Sequence, residues 1–191
     1  DRIAISALRP LSELGYYSLA ISVSAGLGRL VVPMYNALYP RFSRLVAAGD
    51  RAGLVVLYHA SSQWLALVVA AASAVLAAFS ADVAWLWTGD QRVVTTVATP
   101  MAILVIGSAF NGAVVIPYAL QLAYGATRLP IAANAIALVL AIPLGYFAIE
   151  RHGLVGAASI WLAINLGSFA IAAPLALRRW LPGEARSWYL R

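Results

Sequence analysis

A single arginine lies in the middle of a long apolar stretch, and its neighbours at helical spacing are also polar. Ser22, Arg29 and Asn36 are seven residues apart within residues 15–39, so a helix would place them on one face. A charge at mid-bilayer costs at least about 2.5–3.5 kcal/mol on insertion scales, so it normally faces protein or water. The pattern favours a cation that faces a cavity. The alternative is that Arg29 reaches an interface or pairs with an acid.

A second polar face follows later in the chain. Asn111 and Tyr118 are seven residues apart, and Gln121 lies beside them. Pro100 and Pro117 fall in the same apolar run and predict an interrupted helix, of the kind that lines transporter pathways. The competing interpretation is that Asn111 and Gln121 only form hydrogen bonds between helices, which are common in membrane bundles.

Residue patterns typical of enzymes are absent. The sequence has no GxSxG, no HExxH and no glycine-rich phosphate loop after a strand. It has no cysteine, and its two histidines, His59 and His152, are too far apart in sequence to form a metal motif. We therefore expect no catalytic residues, no metal and no cofactor.

Long apolar runs determine the fold class. The chain is 63% hydrophobic and 10% charged, against about 45–50% and about 25% in soluble domains. Each run is close to the roughly 20 residues that cross a bilayer as a helix. We predict an all-α polytopic bundle with about five complete transmembrane helices and, in residues 1–8, the end of a sixth. The predicted helices are 15–39, 61–87, 97–122, 131–149 and 154–177.

The arginines between these runs alternate in density and predict an orientation. All 13 basic residues are arginine, and eight of them lie in the joints 40–60, 123–130 and 178–191. The other joints hold four arginines and five of the acids. The positive-inside rule places the arginine-rich side, including the C-terminal tail, in the cytoplasm. The 40–60 joint is amphipathic and predicts a short helix on the inner leaflet. Charges at helix ends do not suggest a nucleic-acid partner.

Several segments together resemble one transporter family. Residues 1–50 contain the pattern D-R, then L-x-E-L-G-Y-Y-x-L-A, P-R-F-S-R-L and G-D. Residues 117–136 contain Gln-Leu-x-x-Gly-x-x-Arg, and residues 152–165 read HGLVGAASIWLAIN. These segments resemble the second half of the Wzx-type O-antigen and polysaccharide flippases. That family belongs to the multidrug/oligosaccharidyl-lipid/polysaccharide exporter superfamily.

The resemblance implies a function and a place in a larger protein. Members are similar to a twelve-helix transporter of two lobes, which carries an undecaprenyl-diphosphate-linked oligosaccharide across the bacterial inner membrane. On this basis residues 1–191 would be a fragment, the C-terminal lobe, and its partners would be the lipid bilayer, the lipid-linked substrate and an N-terminal lobe. Asp1 and Arg2 match the family's Asp-Arg pair, and Arg29 falls in the helix that borders the central cavity.

An arginine suits a diphosphate because its planar fork can bind two oxygens. Side chains that could contact sugar hydroxyls are Tyr35, Asn36, Asn111, Tyr118 and Gln121.

Three other functions remain open at this stage. A related exporter of drugs or of lipid II would share the superfamily, but drug exporters typically use acids inside the membrane, and no complete run here contains one. A membrane-embedded polymerase, ligase or acyltransferase of the cell envelope usually carries a large catalytic outer loop, whereas the longest outer joint here has about 10–14 residues. A purely structural subunit would leave Arg29 without a role.

Overall fold

The computed structural model describes Ile5 and residues 9–184, and these are helical apart from short junctions, with no strand among them. The helices are α1 (Leu11–Gly26), α2 (Gly28–Ala48), α3 (Arg51–Ala78), α4 (Ser80–Thr88), α5 (Gln91–Ala123), α6 (Arg128–Gly167) and α7 (Ala173–Trp180), and a π-helical turn (Ser168–Ala172) joins α6 to α7. The expected all-α class is confirmed.

Four continuous stretches of the described chain are long and apolar enough to cross a membrane: Leu11–Ala48, Arg51–Ala78, Gln91–Ala123 and Arg128–Trp180. The last stretch reverses direction at Gly153, which has φ 58° and ψ −133°. An L-residue with a side chain rarely adopts a positive φ, so glycine suits this reversal. Across this turn Gly156 lies against the backbone carbonyl of Ala148, so the stretch folds back on itself and the four apolar stretches give five passes.

Contacts between distant residues show which junctions share an end of the bundle. The ring of Tyr124, just after α5, stacks on Trp180 at the end of α7, with 6.3 Å between centroids. At the opposite end, the guanidinium of Arg9 lies against Gly153. The N-terminal end of α1 and the reversal at Gly153 therefore lie together, away from the α5–α6 junction. The alternation of arginines placed residues 123–130 and 178–191 on the arginine-rich side and Arg9 and Arg151 on the other side, and these contacts agree with that division.

The structure differs from expectation over residues 40–60. Helix α2 runs on to Ala48, Gly49 ends it in the left-handed region with φ 68°, and the next helix starts at Arg51. The carboxylate of Asp50 accepts a hydrogen bond of 2.9 Å from the N–H of Gly53 and so caps α3. The segment is thus a tight hairpin of two long helices, because strong capping signals override the amphipathic pattern of a single surface helix.

Helix α5 is the centre of the bundle and contacts α1, α2, α3, α4 and α6. The interrupted helix expected at Pro100 and Pro117 is not present, since both prolines are buried inside a continuous helix. A mild irregularity falls instead at Leu27, between Gly26 and Gly28: its N–H bonds the carbonyl three residues earlier, while its φ of −61° and ψ of −31° remain helical. Glycines on both sides weaken the helix at this point, because they have the largest backbone entropy to lose.

Two clusters of buried side chains hold the passes together. The first joins α1, α4, α5 and α6, and the second joins α2, α3, α5 and α7. Gly112 lets α5 approach closely in the second cluster, because a Cβ there would lie 3.1–3.2 Å from methyl groups of Val69 and Val31. Val31 and Leu38 thus define the face of α2 that points into the bundle, and this fixes the direction of its polar residues.

Candidate functional site

Arg29 lies on the face of α2 opposite the core. Val31 is two residues away, which is about 200° around a helix, and it is buried in the second cluster. Arg29 and Asn36 are both exposed. Among the described residues neither has a side-chain hydrogen-bond partner, and neither ion pair of this part of the chain involves Arg29. The structural alternative, in which an acid neutralises Arg29, finds no support within residues 9–184.

Two prolines add acceptors to the same face. Pro33 and Pro40 lie inside α2. Proline has no N–H, so the carbonyls four residues earlier lack their usual intrahelical donor, and these are the carbonyls of Arg29 and Asn36. Arg29 and Asn36 therefore each combine a polar side chain with a backbone carbonyl that lacks its usual helical N–H donor. We refer to Ser22, Arg29, Pro33, Asn36 and Pro40 as the polar stripe.

Ser22 contributes less than its spacing suggested. Its hydroxyl donates to the carbonyl of Ser18 at 2.8 Å, within the same helix. The irregular turn at Leu27 lies between Ser22 and Arg29, and both side chains are exposed. The polar stripe therefore has its main binding capacity between Arg29 and Asn36, over about 10 Å of helix.

An aromatic group lies where α2 meets α5. The ring of Tyr35 stacks on Tyr39 at 5.8 Å and on Tyr118 at 6.3 Å between centroids. The structure thus brings together two of the residues singled out in the sequence, Tyr35 and Tyr118. Tyr39 was not expected here, although its position four residues after Tyr35 on one helix could have indicated it.

Asn111 serves chiefly to join helices. Its side-chain amide donates to the Oδ1 of Asn165 at 2.8 Å, and Asn165 in turn donates to the carbonyl of Trp161. The indole of Trp161 donates to the hydroxyl of Ser108 at 3.3 Å. This network lies between α5 and α6, so the interhelical interpretation of Asn111 is the better supported of the two.

Gln121 is buried, with 4% of its surface exposed, and its Oε1 has no hydrogen-bond partner. An unpaired amide oxygen in a protein interior is costly, typically by about 1–3 kcal/mol. Gln121 lies one helical turn from Tyr118 on α5 and so belongs to the same region as the aromatic group. Asp1 and Arg2, the other two expected site residues, lie outside the described residues.

One polar pair escaped the sequence analysis. His59, 7% exposed in α3, lies 2.6 Å from the carboxylate of Glu184 just after α7. The two residues are 125 positions apart, so no local periodicity could have joined them. The pair ties the α2–α3 hairpin to the end of the last pass, at the end of the bundle that also holds Tyr124 and Trp180.

Comparisons with known proteins agree with a membrane transporter. A model of the MatE family matches residues 1–147, well over half of the chain. The comparisons found no match among curated proteins and none among solved structures. MatE proteins are transporters within the multidrug/oligosaccharidyl-lipid/polysaccharide exporter superfamily. Because this match covers most of a chain with four long apolar helices among its described residues, the chain belongs to the MatE family.

Proposed function

We propose that this chain is the C-terminal lobe of a flippase that carries an undecaprenyl-diphosphate-linked oligosaccharide across the bacterial inner membrane. The observation that supports this proposal most is the unpaired, exposed guanidinium of Arg29 on the polar stripe. A diphosphate carries the charge and the oxygens that a guanidinium binds best. Asp1 and Arg2, which match the family pair, belong to the same proposal, as does an N-terminal lobe that would complete the cavity.

The environment of the polar stripe supports a cavity over lipid. Acyl chains offer no hydrogen bonds, and non-helical or unsatisfied backbone groups at membrane depth are tolerated only beside protein or water. The stripe contains a cation, an amide and two carbonyls without their usual donors. We place the diphosphate at Arg29 and sugar hydroxyls at Asn36, with Tyr35 and Tyr118 towards α5 as further sugar contacts. Gln121 and Asn111 are the weaker candidates, because Gln121 is buried and the amide of Asn111 is occupied by Asn165.

The acids distinguish this proposal from a cation-coupled drug exporter. Within residues 9–184 every acid lies near an end of a pass and none is at mid-membrane. Glu13 pairs with Arg9, and Glu184 lies against His59. The acids that complete this set are Asp50, Asp82, Asp90 and Glu150. A site whose one central charge is positive favours an anionic substrate.

The test uses cells whose surface polysaccharide depends on this protein. We expect Arg29→Ala to abolish surface polysaccharide and Arg29→Lys to retain only part of it, because lysine keeps the charge but loses the fork. Arg44→Gln is the matched control, since Arg44 is also exposed on α2 but lies at its end. Polysaccharide is measured on gels and protein abundance by immunoblot of membranes. Normal polysaccharide in Arg29→Ala would exclude Arg29 from the transport site.

A further inference from the structure

A second feature lies beside the polar stripe, on the adjacent side of α2. Helices α2 and α3 enclose a groove of about 490 Å³. This volume falls within the range of small-molecule pockets, about 300–1,000 Å³. The lining residues are Leu30, Met34, Leu38, Leu57, Ala60, Ser61, Trp64, Leu65 and Val68. We refer to this feature as the apolar groove.

The apolar groove has little hydrogen-bonding capacity. Apart from the indole N–H of Trp64, its one polar lining group is the hydroxyl of Ser61, which donates to the carbonyl of Tyr58 at 3.1 Å within the same helix. Trp64 is 65% exposed and forms part of the lining. Ala60, which has the smallest side chain in the lining, is also exposed, so the groove is accessible from outside at this position. Such a surface suits hydrocarbon and has no charged side chain to bind a phosphate.

The charged and apolar features meet at one point of α2. Arg29 belongs to the polar stripe and Leu30 lines the apolar groove, and consecutive helical residues point about 100° apart. The groove extends from the level of Leu30 towards Leu38, over about 12 Å of helix. It therefore begins at the residue that follows Arg29 and leads towards the α2–α3 hairpin. An amphiphile with an anionic head and a hydrocarbon chain fits both features at once.

We propose that the apolar groove holds the prenyl chain of the lipid-linked substrate while its diphosphate is at Arg29. This inference rests on the proposed function. Charge complementarity at the Arg29 end of the groove selects a lipid with an anionic head over a neighbouring helix as the occupant. A chain that leaves bilayer for groove gains nothing from the hydrophobic effect, because lipid tails are equally apolar. The groove therefore acts by close packing and by fixing the direction of the chain relative to its head.

The experiment fills the groove and leaves the charge in place. Ala60→Phe puts a ring into the lining, and Ala60→Leu is a milder version for the case that the ring disturbs folding. Ala66→Phe is the matched control, since Ala66 is an exposed alanine about 240° from Ala60 around α3 and outside the lining. The purified protein in phosphatidylcholine nanodiscs is titrated with undecaprenyl diphosphate, inorganic diphosphate and phosphatidylglycerol. Size-exclusion elution reports folding and oligomeric state.

We expect Ala60→Phe to weaken undecaprenyl diphosphate binding by about threefold to tenfold, with a smaller loss for Ala60→Leu and less than twofold for Ala66→Phe. Inorganic diphosphate should bind all three variants alike, because it has no chain. Unchanged undecaprenyl diphosphate binding in both Ala60 variants would overturn the groove proposal. Equal weakening of phosphatidylglycerol would overturn it too, because the occupant would then be an ordinary phospholipid. A dimer that Ala60→Phe dissociates would identify a second copy as the occupant.

Failure of the proposed function would look different. In that case undecaprenyl diphosphate would bind the unmodified protein no more tightly than phosphatidylglycerol, and Arg29→Ala would change neither affinity. If Arg29→Ala weakens undecaprenyl diphosphate and inorganic diphosphate binding while the Ala60 variants change nothing, the head-group site stands and only the groove assignment falls.

Discussion

Alanine at Gly107 should destabilise the contact between α5 and α6. A Cβ at this position would lie 2.6 Å from the Cδ1 of Trp161 and 3.1 Å from the Cα of Leu162. The indole would have to move by several tenths of an ångström, and its 3.3 Å hydrogen bond to Ser108 would be strained. The backbone at Leu162 has less freedom to move, so part of the clash would remain.

Two opposing terms decide the magnitude. Overpacking of a filled interface costs about 1–3 kcal/mol. Replacing a helical glycine by alanine gains roughly 0.5–1 kcal/mol from backbone entropy. We expect Gly107→Ala to lose about 1–2 kcal/mol of unfolding free energy. Gly145→Ala in α6 is the matched control, since nothing lies within 4 Å of its Cβ position, and it should gain about 0.5–1 kcal/mol.

The assay is reversible unfolding in mixed micelles with increasing sodium dodecyl sulfate, followed by circular dichroism. Gly107→Ala should unfold more easily than the parent and Gly145→Ala less easily. Their unfolding free energies should differ from each other by about 2 kcal/mol. Combining Gly107→Ala with Trp161→Ala should cost less than the sum of the two single changes, because the second removes the atom with which the first collides. If Gly107→Ala unfolds at the same detergent fraction as Gly145→Ala, the close approach of the two helices is refuted.

Two further predictions concern helix contacts and orientation. A double-mutant cycle of Asn111→Ala and Asn165→Ala should give a coupling of about 0.6 kcal/mol, the average for hydrogen bonds between membrane helices. A coupling of zero would mean that the 2.8 Å contact contributes nothing to stability. Because the chain has no cysteine of its own, a single introduced cysteine shows on which side of the membrane its residue lies. Asp90→Cys should react with an impermeant maleimide in intact cells and Thr127→Cys, at the exposed start of α6, only after permeabilisation; the reverse result would invert the topology.

Hydropathy and charge predicted the passes because the bilayer imposes them. A continuous run of about 20 apolar residues has few alternatives to a spanning helix. The exposure of Arg29 could also be predicted, since Val31 and Leu38 lie on the opposite side of α2 and are apolar. Spacing alone thus gave the direction of the polar stripe, and the contacts of Val31 with Gly112 confirm which face is inside.

Features that depend on distant residues could not be predicted in the same way. The end of α2 at Gly49 and the start of α3 after Asp50 depend on local capping geometry, and the hydropathy of residues 40–60 does not indicate such caps. Buried surroundings can accommodate a proline within a helix, so Pro100 and Pro117 did not break α5. The pairing of His59 with Glu184 brings together residues from the second and last passes and has no periodicity to detect.

The polar stripe imposes a requirement that the described helices do not meet among themselves. Its guanidinium, its amide and two of its carbonyls lie on the side of α2 away from the core. Lipid would offer these groups no hydrogen-bond partner, at a cost of several kcal/mol for the guanidinium and less for the amide, so such a face is unfavourable as a bilayer surface. Water, an anionic ligand or another protein face must therefore cover it. In the proposed flippase, the transport cavity would supply the first two in alternation and the proposed N-terminal lobe would form its opposite wall. This physical need, together with the family match, supports a solute pathway along the polar stripe.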